Sequence, residues 1–210
     1  MKKIYISPSS QPANTYAVGN TNEQAQCRAI GAALERILTE CGFEAKAGLS
    51  GTMYTRVADS NAMEADLHLP IHTNAFDGKV AGLRIMVAKK GDEAEAVAKT
   101  IMEHLAPITP GTSDGISVYP NLYEVRESRA ICVYIEVGFH DNAEEAQWII
   151  DHTEDIAQAI AKGLCSHYGV AWSEEQPVYR VQVGAFHNKA YAEAMGAELR
   201  QKGYDAFVVS

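Results

Sequence analysis

The chain has 210 residues, of which 47% are hydrophobic and 21% are charged, values that are ordinary for a soluble globular protein with one domain and a small addition. Its formal net charge of -9 argues against a nucleic-acid-binding protein, because such binding depends on clustered Lys and Arg. No apolar run approaches the roughly 20 residues of a membrane span, so we expect no membrane partner.

The first part of the chain alternates predicted strands and helices. Residues 3–7 form a first strand, and a loop rich in Pro, Asn and Gly follows it. A helix is predicted over 23–41, because apolar residues recur there every three or four positions until Gly42. Further strands are predicted at 43–47, 65–72 and 82–88, and a further helix at 93–105.

The second part predicts the centre of a sheet and its covering helices. Residues 131–137, ICVYIEV, are almost continuously apolar, which is typical of a central strand. Asn142 is the expected N-cap of a helix, with Glu145 completing a capping box. Apolar residues then continue to Tyr168, with a break near Thr153. We therefore predict an α/β fold, a twisted, mostly parallel or mixed sheet flanked by helices.

The predicted domain organisation is a first domain over residues 1–170, a linker over 171–177 and a small C-terminal βαβ unit over 178–210. The linker, AWSEEQP, contains little that packs. In the last unit, two strands at 178–186 and 206–209 enclose a helix. Such a unit is too small to hold a core alone, so it should need a second copy, a partner chain or the first domain.

Three polar side chains stand out at the ends of the predicted elements. His72 ends one strand, Glu136 lies inside the apolar run near the end of another, and Glu23 opens the first long helix. Strand ends of an α/β sheet are where ligands bind, and a buried carboxylate is costly without a partner. His72 with Glu23 would suit zinc ligation, and an unliganded Glu would suit a general base.

Four segments, SPSSQ, GNTNE, ADLHLPIHTNA and YIEVGFHDN, closely resemble the zinc-dependent N-acetylmuramoyl-L-alanine amidases known as type-3 amidases. The resemblance spans residues 3–168 and is most specific over 56–75. Members cleave the amide between the lactyl group of N-acetylmuramic acid and L-alanine. The resemblance implies a Zn2+ cofactor, with Glu23 and His72 as metal ligands and Glu136 as the catalytic acid and base.

The first loop departs from the family pattern at the remaining zinc ligand. The family's usual His follows a Pro-Gly pair, where this chain has Pro8 followed by two serines, and relatives with the SPSxQ opening often carry a His where this chain has Ala13. The third ligand therefore stays open among candidates whose default roles are structural: Gln11, Ser10, Cys27, His68 and His140. In the loop before the last strand, Glu124 and Arg126 are candidates for substrate contact or for a solvated loop.

The C-terminal stretch, with its VQVGAF and KGYDAFVV pieces, is similar to one repeat of a sporulation-related (SPOR) domain. Such domains bind peptidoglycan glycan strands stripped of their stem peptides, material that an amidase produces. A full domain has two βαβ repeats and this chain shows one, so the half unit is truncated or is completed by pairing with another chain. The expected partner is thus peptidoglycan, both its glycan strands and its stem peptides.

The leading hypothesis is a peptidoglycan hydrolase. The N-terminus of the chain, MKKIYIS, lacks the apolar core of a signal peptide. We therefore expect synthesis in the cytoplasm and action on the wall after release or lysis, unless a leader is missing. A prophage endolysin and a sporulation-stage amidase both fit that expectation. The alternative is a catalytically inactive wall-binding protein on an amidase fold that has lost its metal. A zinc peptidase acting on stem peptides is more remote.

Overall fold

The computed structural model describes residues 1–172, 183–204, 206 and 208. The chain separates into two compact units, Met1–Ser173 and Glu174–Ser210. None of the helices in these described stretches combines the length and the apolar character that crossing a bilayer requires.

The first unit contains, among its described residues, a seven-stranded sheet in which six strands follow the order β2-β1-β3-β7-β4-β5 and β6 pairs with β3. Neighbouring strands are parallel, except that β4 runs antiparallel to β7. The prediction of a mostly parallel or mixed sheet flanked by helices is confirmed. The strands are β1 Lys3–Pro8, β2 Glu44–Ala47, β3 Leu67–Asn74, β4 Arg84–Val87, β5 Gly115–Val118, β6 Ile131–Cys132 and β7 Tyr134–Phe139.

Six α-helices are described in this unit, together with a 3-10 turn at Ala106–Ile108. The predicted break near Thr153 separates the last two helices. Asn22 caps the first helix of the unit, α1, because its side chain accepts a hydrogen bond from the Ala25 amide at 2.9 Å. The helices are α1 Glu23–Glu40, α2 Met53–Met63, α3 Glu93–Leu105, α4 Tyr123–Glu127, α5 Ala143–Asp151 and α6 Thr153–Tyr168.

The two faces of the central strands differ in chemistry. On one face, side chains such as Ile4, Leu69 and Ile135 join the apolar core with α1, α3 and α6. Because side chains alternate along a strand, the other face carries Tyr5, Ser7, His68 and His72 from β1 and β3, followed by Tyr134 and Glu136 from β7. The polar face therefore collects the chemistry of the first unit.

Helices α3 and α6 pack closely, and a glycine permits the contact. A Cβ atom added at Gly163 of α6 would lie 2.6 Å from Ile101 Cα of α3.

All four cysteines are free, and three of them, Cys27, Cys132 and Cys165, are buried, whereas Cys41 is half-buried. None of these cysteines therefore forms a disulfide in the first unit.

The second unit contains α7, Lys189–Gln201, whose N-cap Asn188 accepts a hydrogen bond from the Ala190 amide at 2.9 Å. The strand predicted at 178–186 lies outside the described residues over 178–182, and residues 183–186 are described as irregular. Most of the predicted linker, 173–177, and much of the last predicted strand also lie outside the described residues.

Glu145 departs from the predicted capping box. Asn142 does cap α5, but the Glu145 carboxylate accepts hydrogen bonds from the amides of Gly82 at 2.8 Å and Phe139 at 2.7 Å. Burial raises the pKa of Glu145, although both of these hydrogen bonds oppose that shift. This carboxylate therefore joins the end of β7 to the segment that precedes β4.

We expect Glu145→Ala to lower the free energy of unfolding by about 2–6 kcal/mol, because it leaves two buried amides without an acceptor at about 1–3 kcal/mol each. Urea denaturation followed by circular dichroism measures the change. Glu144→Ala, at the exposed neighbouring position, is the control and should stay within about 0.5 kcal/mol of the parent. Equal stabilities for the two variants would contradict this role of Glu145.

Candidate active site

Glu23 and His72 meet at the end of β3. Glu23 is the first residue of α1, and its side chain is fully buried. Its Oε1 lies 2.8 Å from His72 Nδ1, and its Oε2 accepts a hydrogen bond from Asn14 Nδ2 at 2.6 Å. Burial alone would raise the pKa of Glu23, but hydrogen bonds from His72, Asn14 and Ser9 outweigh it and the pKa is lowered. The two residues predicted as metal ligands are therefore direct neighbours.

Gln11, in the loop after β1, also reaches this pair. Its Nε2 lies 3.4 Å from His72 Nδ1 and 3.5 Å from Glu23 Oε1. Its Oε1 accepts a hydrogen bond from Asn14 Nδ2 at 3.3 Å. Because a 180° turn of the amide exchanges its nitrogen and oxygen, Gln11 can present either a donor or an acceptor to the pair.

The other candidates for a third ligand have different partners. Ser10 Oγ accepts a hydrogen bond from Arg56 Nη2 at 3.3 Å. Cys27 is fully buried in the apolar core, which raises the pKa of its thiol. His68 lies 3.2 Å from a carboxylate oxygen of Glu124, and His140 stacks on a tyrosine ring and contacts Thr73. Of the five candidates, Gln11 is thus the one described in contact with both predicted ligands.

His72 is held between a ring and two carboxylates. Its imidazole stacks on Tyr134 with the ring centroids 4.6 Å apart. Its Nε2 lies 3.7 Å from Glu124 Oε2 and is buried without a hydrogen-bond partner. Burial alone would lower the pKa of His72, but the nearby carboxylates of Glu124 and Glu23 outweigh it and raise that pKa to about 9.

Glu136 faces the same region from β7, where it pairs in register with His72 of β3. Its Oε2 is buried without a hydrogen-bond partner among the described residues. Burial raises the pKa of Glu136 to about 8, with a smaller opposing effect of His72 and a further rise from the charge of Glu23. Glu136 therefore combines a carboxyl oxygen without a partner with a pKa near neutrality, the properties that acid and base catalysis require.

Glu124 belongs to the site in a way that sequence analysis did not anticipate. The alternative of a solvated loop is wrong, because Glu124 lies in α4 and is only 3% exposed, whereas its contact with substrate stays a prediction. Its Oε1 accepts hydrogen bonds from His68 Nε2 and from Ser7 Oγ. Burial would raise the pKa of Glu124, but these hydrogen bonds and the nearby imidazole of His72 lower it to about 2.

The neighbouring Arg126 is exposed and contacts Glu127 and the Asn121 carbonyl, and its guanidinium lies 6.0 Å from the centre of the Tyr123 ring. Helix α4 has five residues, which is too short for an apolar periodicity to be recognised in the sequence. The available signal for the burial of Glu124 was its place between the apolar residues of the LYEVR stretch.

A cavity of about 340 Å³ opens beside His72. Tyr54 and Tyr123 form one of its walls through an edge-to-face contact, with ring centroids 4.6 Å apart. Tyr54 remains 56% exposed, which leaves its ring available to a ligand. The lining residues are Ser10, Gln11, Thr52, Met53, Tyr54, Arg56, His72, Leu122, Tyr123, Glu124 and Tyr134.

The side chains around His72 include several groups that can donate to a metal ion. No group of three or more His, Cys, Asp and Glu side chains within the described ranges has an arrangement that could hold one. Glu23 and His72 nevertheless supply an adjacent carboxylate and imidazole, and Gln11 adds a neutral amide. Three carboxylates lie around His72. Those of Glu23 and Glu124 are hydrogen-bonded or ion-paired, whereas one oxygen of Glu136 has no described partner. Glu23 and His72 therefore have the donor chemistry that a divalent cation requires, with the Gln11 amide as a weaker third donor.

Comparisons with known proteins match both units of the chain. The family profile described as N-acetylmuramoyl-L-alanine amidase matches residues 4–166, and the SPOR domain profile matches residues 175–210. The N-acetylmuramoyl-L-alanine amidase CwlM of Bacillus licheniformis is 27% identical over 219 residues, covering 100% of this chain and 85% of that protein. The sporulation-specific N-acetylmuramoyl-L-alanine amidase of Bacillus subtilis is 26% identical with the same coverage.

Solved structures share the fold. The catalytic domain of CwlV, an N-acetylmuramoyl-L-alanine amidase from Bacillus (Paenibacillus) polymyxa, superposes with a TM-score of 0.71 and 21% identity, covering 81% of this chain and 100% of that one. Because the family profile spans well over half of the sequence, the chain belongs to the N-acetylmuramoyl-L-alanine amidase family.

Proposed function

We propose that this peptidoglycan amidase cleaves the bond between the lactyl group of N-acetylmuramic acid and L-alanine with a zinc ion held by Glu23 and His72. Gln11 completes the protein ligands in place of the missing first-loop His. The observation that carries the proposal is the buried Glu23–His72 pair, 2.8 Å apart, with Glu136 paired in register with His72 and one of its carboxyl oxygens without a partner. Zinc would polarise the amide carbonyl and lower the pKa of its bound water from about 15.7 toward ~7.

Glu136 supplies the proton transfers. It takes a proton from the attacking water and passes it to the nitrogen of L-alanine, since an unprotonated amide nitrogen leaves poorly. Its raised pKa, about 8, supports this double role, because a group that both takes and gives a proton works best with a pKa near the working pH. The Tyr134 ring stacked on His72 holds the imidazole plane during these steps.

The cavity beside His72 supports a binding role for the substrate. Tyr54, Leu122 and Tyr123 give its wall an apolar and aromatic character, which suits the ring face of a sugar or a stem-peptide side chain. The C-terminal unit adds a second contact with peptidoglycan through its SPOR domain, and its completion by another chain stays a prediction.

The test uses the full chain on purified peptidoglycan, with and without removal of metal. We expect new L-alanine amino termini, intact stem peptides, and loss of release after chelation that zinc restores. Protein that contains no zinc and releases no amino termini even with added zinc would favour the inactive wall-binding protein. Cleavage inside the stem peptides would favour a zinc peptidase instead.

A further inference from the structure

Glu124 is a buried carboxylate that the proposed reaction does not use. Its two oxygens have different surroundings. Oε1 accepts hydrogen bonds from His68 Nε2, at 3.2 Å, and from the hydroxyl of Ser7. Oε2 lies 3.7 Å from His72 Nε2. Two buried donors therefore fix the carboxylate on one side and leave its second oxygen beside His72.

The same carboxylate is balanced by a buried positive charge. Ser7 Oγ, which donates to Glu124, also accepts a hydrogen bond from Arg56 Nε at 2.9 Å. Arg56 is 1% exposed, and its Nη1 donates to the Gly51 carbonyl at 3.1 Å. Because a buried charge is tolerated only with a partner and hydrogen bonds, this chain of contacts explains how Glu124 stays ionised next to His72.

The two nitrogens of His72 face two different carboxylates. Nδ1 lies beside Glu23, whereas Nε2 faces Glu124 and has no hydrogen-bond partner in the described part of the chain. A neutral imidazole has one N–H group and one lone pair. If Nδ1 presents its lone pair to a metal on the Glu23 side, the proton must sit on Nε2, where an oxygen of Glu124 can accept it.

We propose that Glu124 is a positioning residue, which accepts the Nε2 proton of His72 and so keeps the lone pair of Nδ1 directed toward the metal. The inference rests on the proposed function, because it requires a metal on the Glu23 side of His72. Histidine ligands commonly donate their other N–H group to a carboxylate, and losing such a partner weakens metal binding about 10–100-fold. The stacked ring of Tyr134 fixes the plane of the imidazole, and Glu124 determines which nitrogen carries the proton.

The first test measures zinc affinity of the full chain by competition with a zinc-binding dye. We expect Glu124→Gln to weaken zinc binding about 10–100-fold. Glu127→Gln removes an exposed carboxylate from the same short helix, so it is the matched control and should leave the affinity unchanged. Unchanged affinity in Glu124→Gln would overturn the role of Glu124. A wild-type chain that binds no zinc would instead overturn the proposed function, and the inference with it.

The second test needs no variant at position 124, so it remains decisive even if Glu124→Gln does not fold. Long-range 1H–15N spectra of the zinc-loaded wild type, assigned by comparison with His72→Gln, report which nitrogen of His72 carries the proton. We expect a protonated Nε2 and a metal-bound Nδ1. A protonated Nδ1 with zinc on Nε2 would overturn the proposal, because Glu124 would then lie on the metal side of the ring.

Discussion

Glu136→Gln is expected to lower the rate of L-alanine amino-terminus release from peptidoglycan by about 10²–10⁴-fold, the usual contribution of a positioned general acid and base. The amide has nearly the size of the carboxyl group but can neither take nor return the proton. Since Glu136 is not one of the proposed metal ligands, the variant should keep its zinc. Initial rates on purified peptidoglycan and metal content by mass spectrometry measure the two effects.

The control for this variant is Glu144→Gln, which makes the same chemical change at an exposed position of α5 and should leave the rate unchanged. A Glu136→Gln enzyme within threefold of the wild-type rate would refute the catalytic role. Loss of zinc from the variant would show that Glu136 is a ligand. That result would contradict the proposed roles, in which Glu23 is a ligand, Glu124 positions His72 and Glu136 transfers protons.

His72→Ala is expected to weaken zinc binding by more than about 100-fold, because it removes a direct ligand. Loss of a residue that only supports a ligand weakens metal binding by about 100-fold at most. The same variant removes the imidazole that lies between the carboxylates of Glu23 and Glu124. Isothermal titration with zinc, on metal-free protein shown by circular dichroism to be folded, measures the effect.

Two changes at Gln11 accompany that experiment. Gln11→Ala removes only the neutral amide, so its zinc affinity should fall less than that of His72→Ala. Gln11→His places an imidazole where the amide now contacts Glu23 and His72, so it should bind zinc more tightly than the wild type. A Gln11→His variant with weaker binding would contradict the assignment of Gln11 as the third ligand.

Much of the fold followed from strong local patterns. The apolar stripe of α1 and the continuous apolar run ending in β7 are long enough to indicate their structures, and they place Glu23 and Glu136 at the ends of elements. The meeting of Glu23 with His72 was expected on the same grounds. The antiparallel placement of β4 was not predicted, since the direction in which a strand joins a sheet depends on partners distant in sequence.

The supporting side of the site was much harder to predict. Helix α2 buries Arg56, Val57 and Ser60, a mixture of polar and apolar residues that gives no clear apolar stripe. The sequence therefore predicted no helix there, although Arg56 lies inside the segment that most resembles the family. Glu124 was missed as a neighbour of His72, because its burial depends on His68 and Ser7, two residues of other strands.

The central claim is that Glu23 and His72 hold zinc while Glu136 stays free to transfer protons. Anomalous X-ray diffraction at the zinc absorption edge, on crystals of the full chain grown with zinc, tests it most directly. We predict one strong peak bonded to Glu23 and to His72 Nδ1, with the Glu136 carboxyl outside the coordination sphere. No peak at this pair, or a zinc ion bonded to Glu136, would contradict the account.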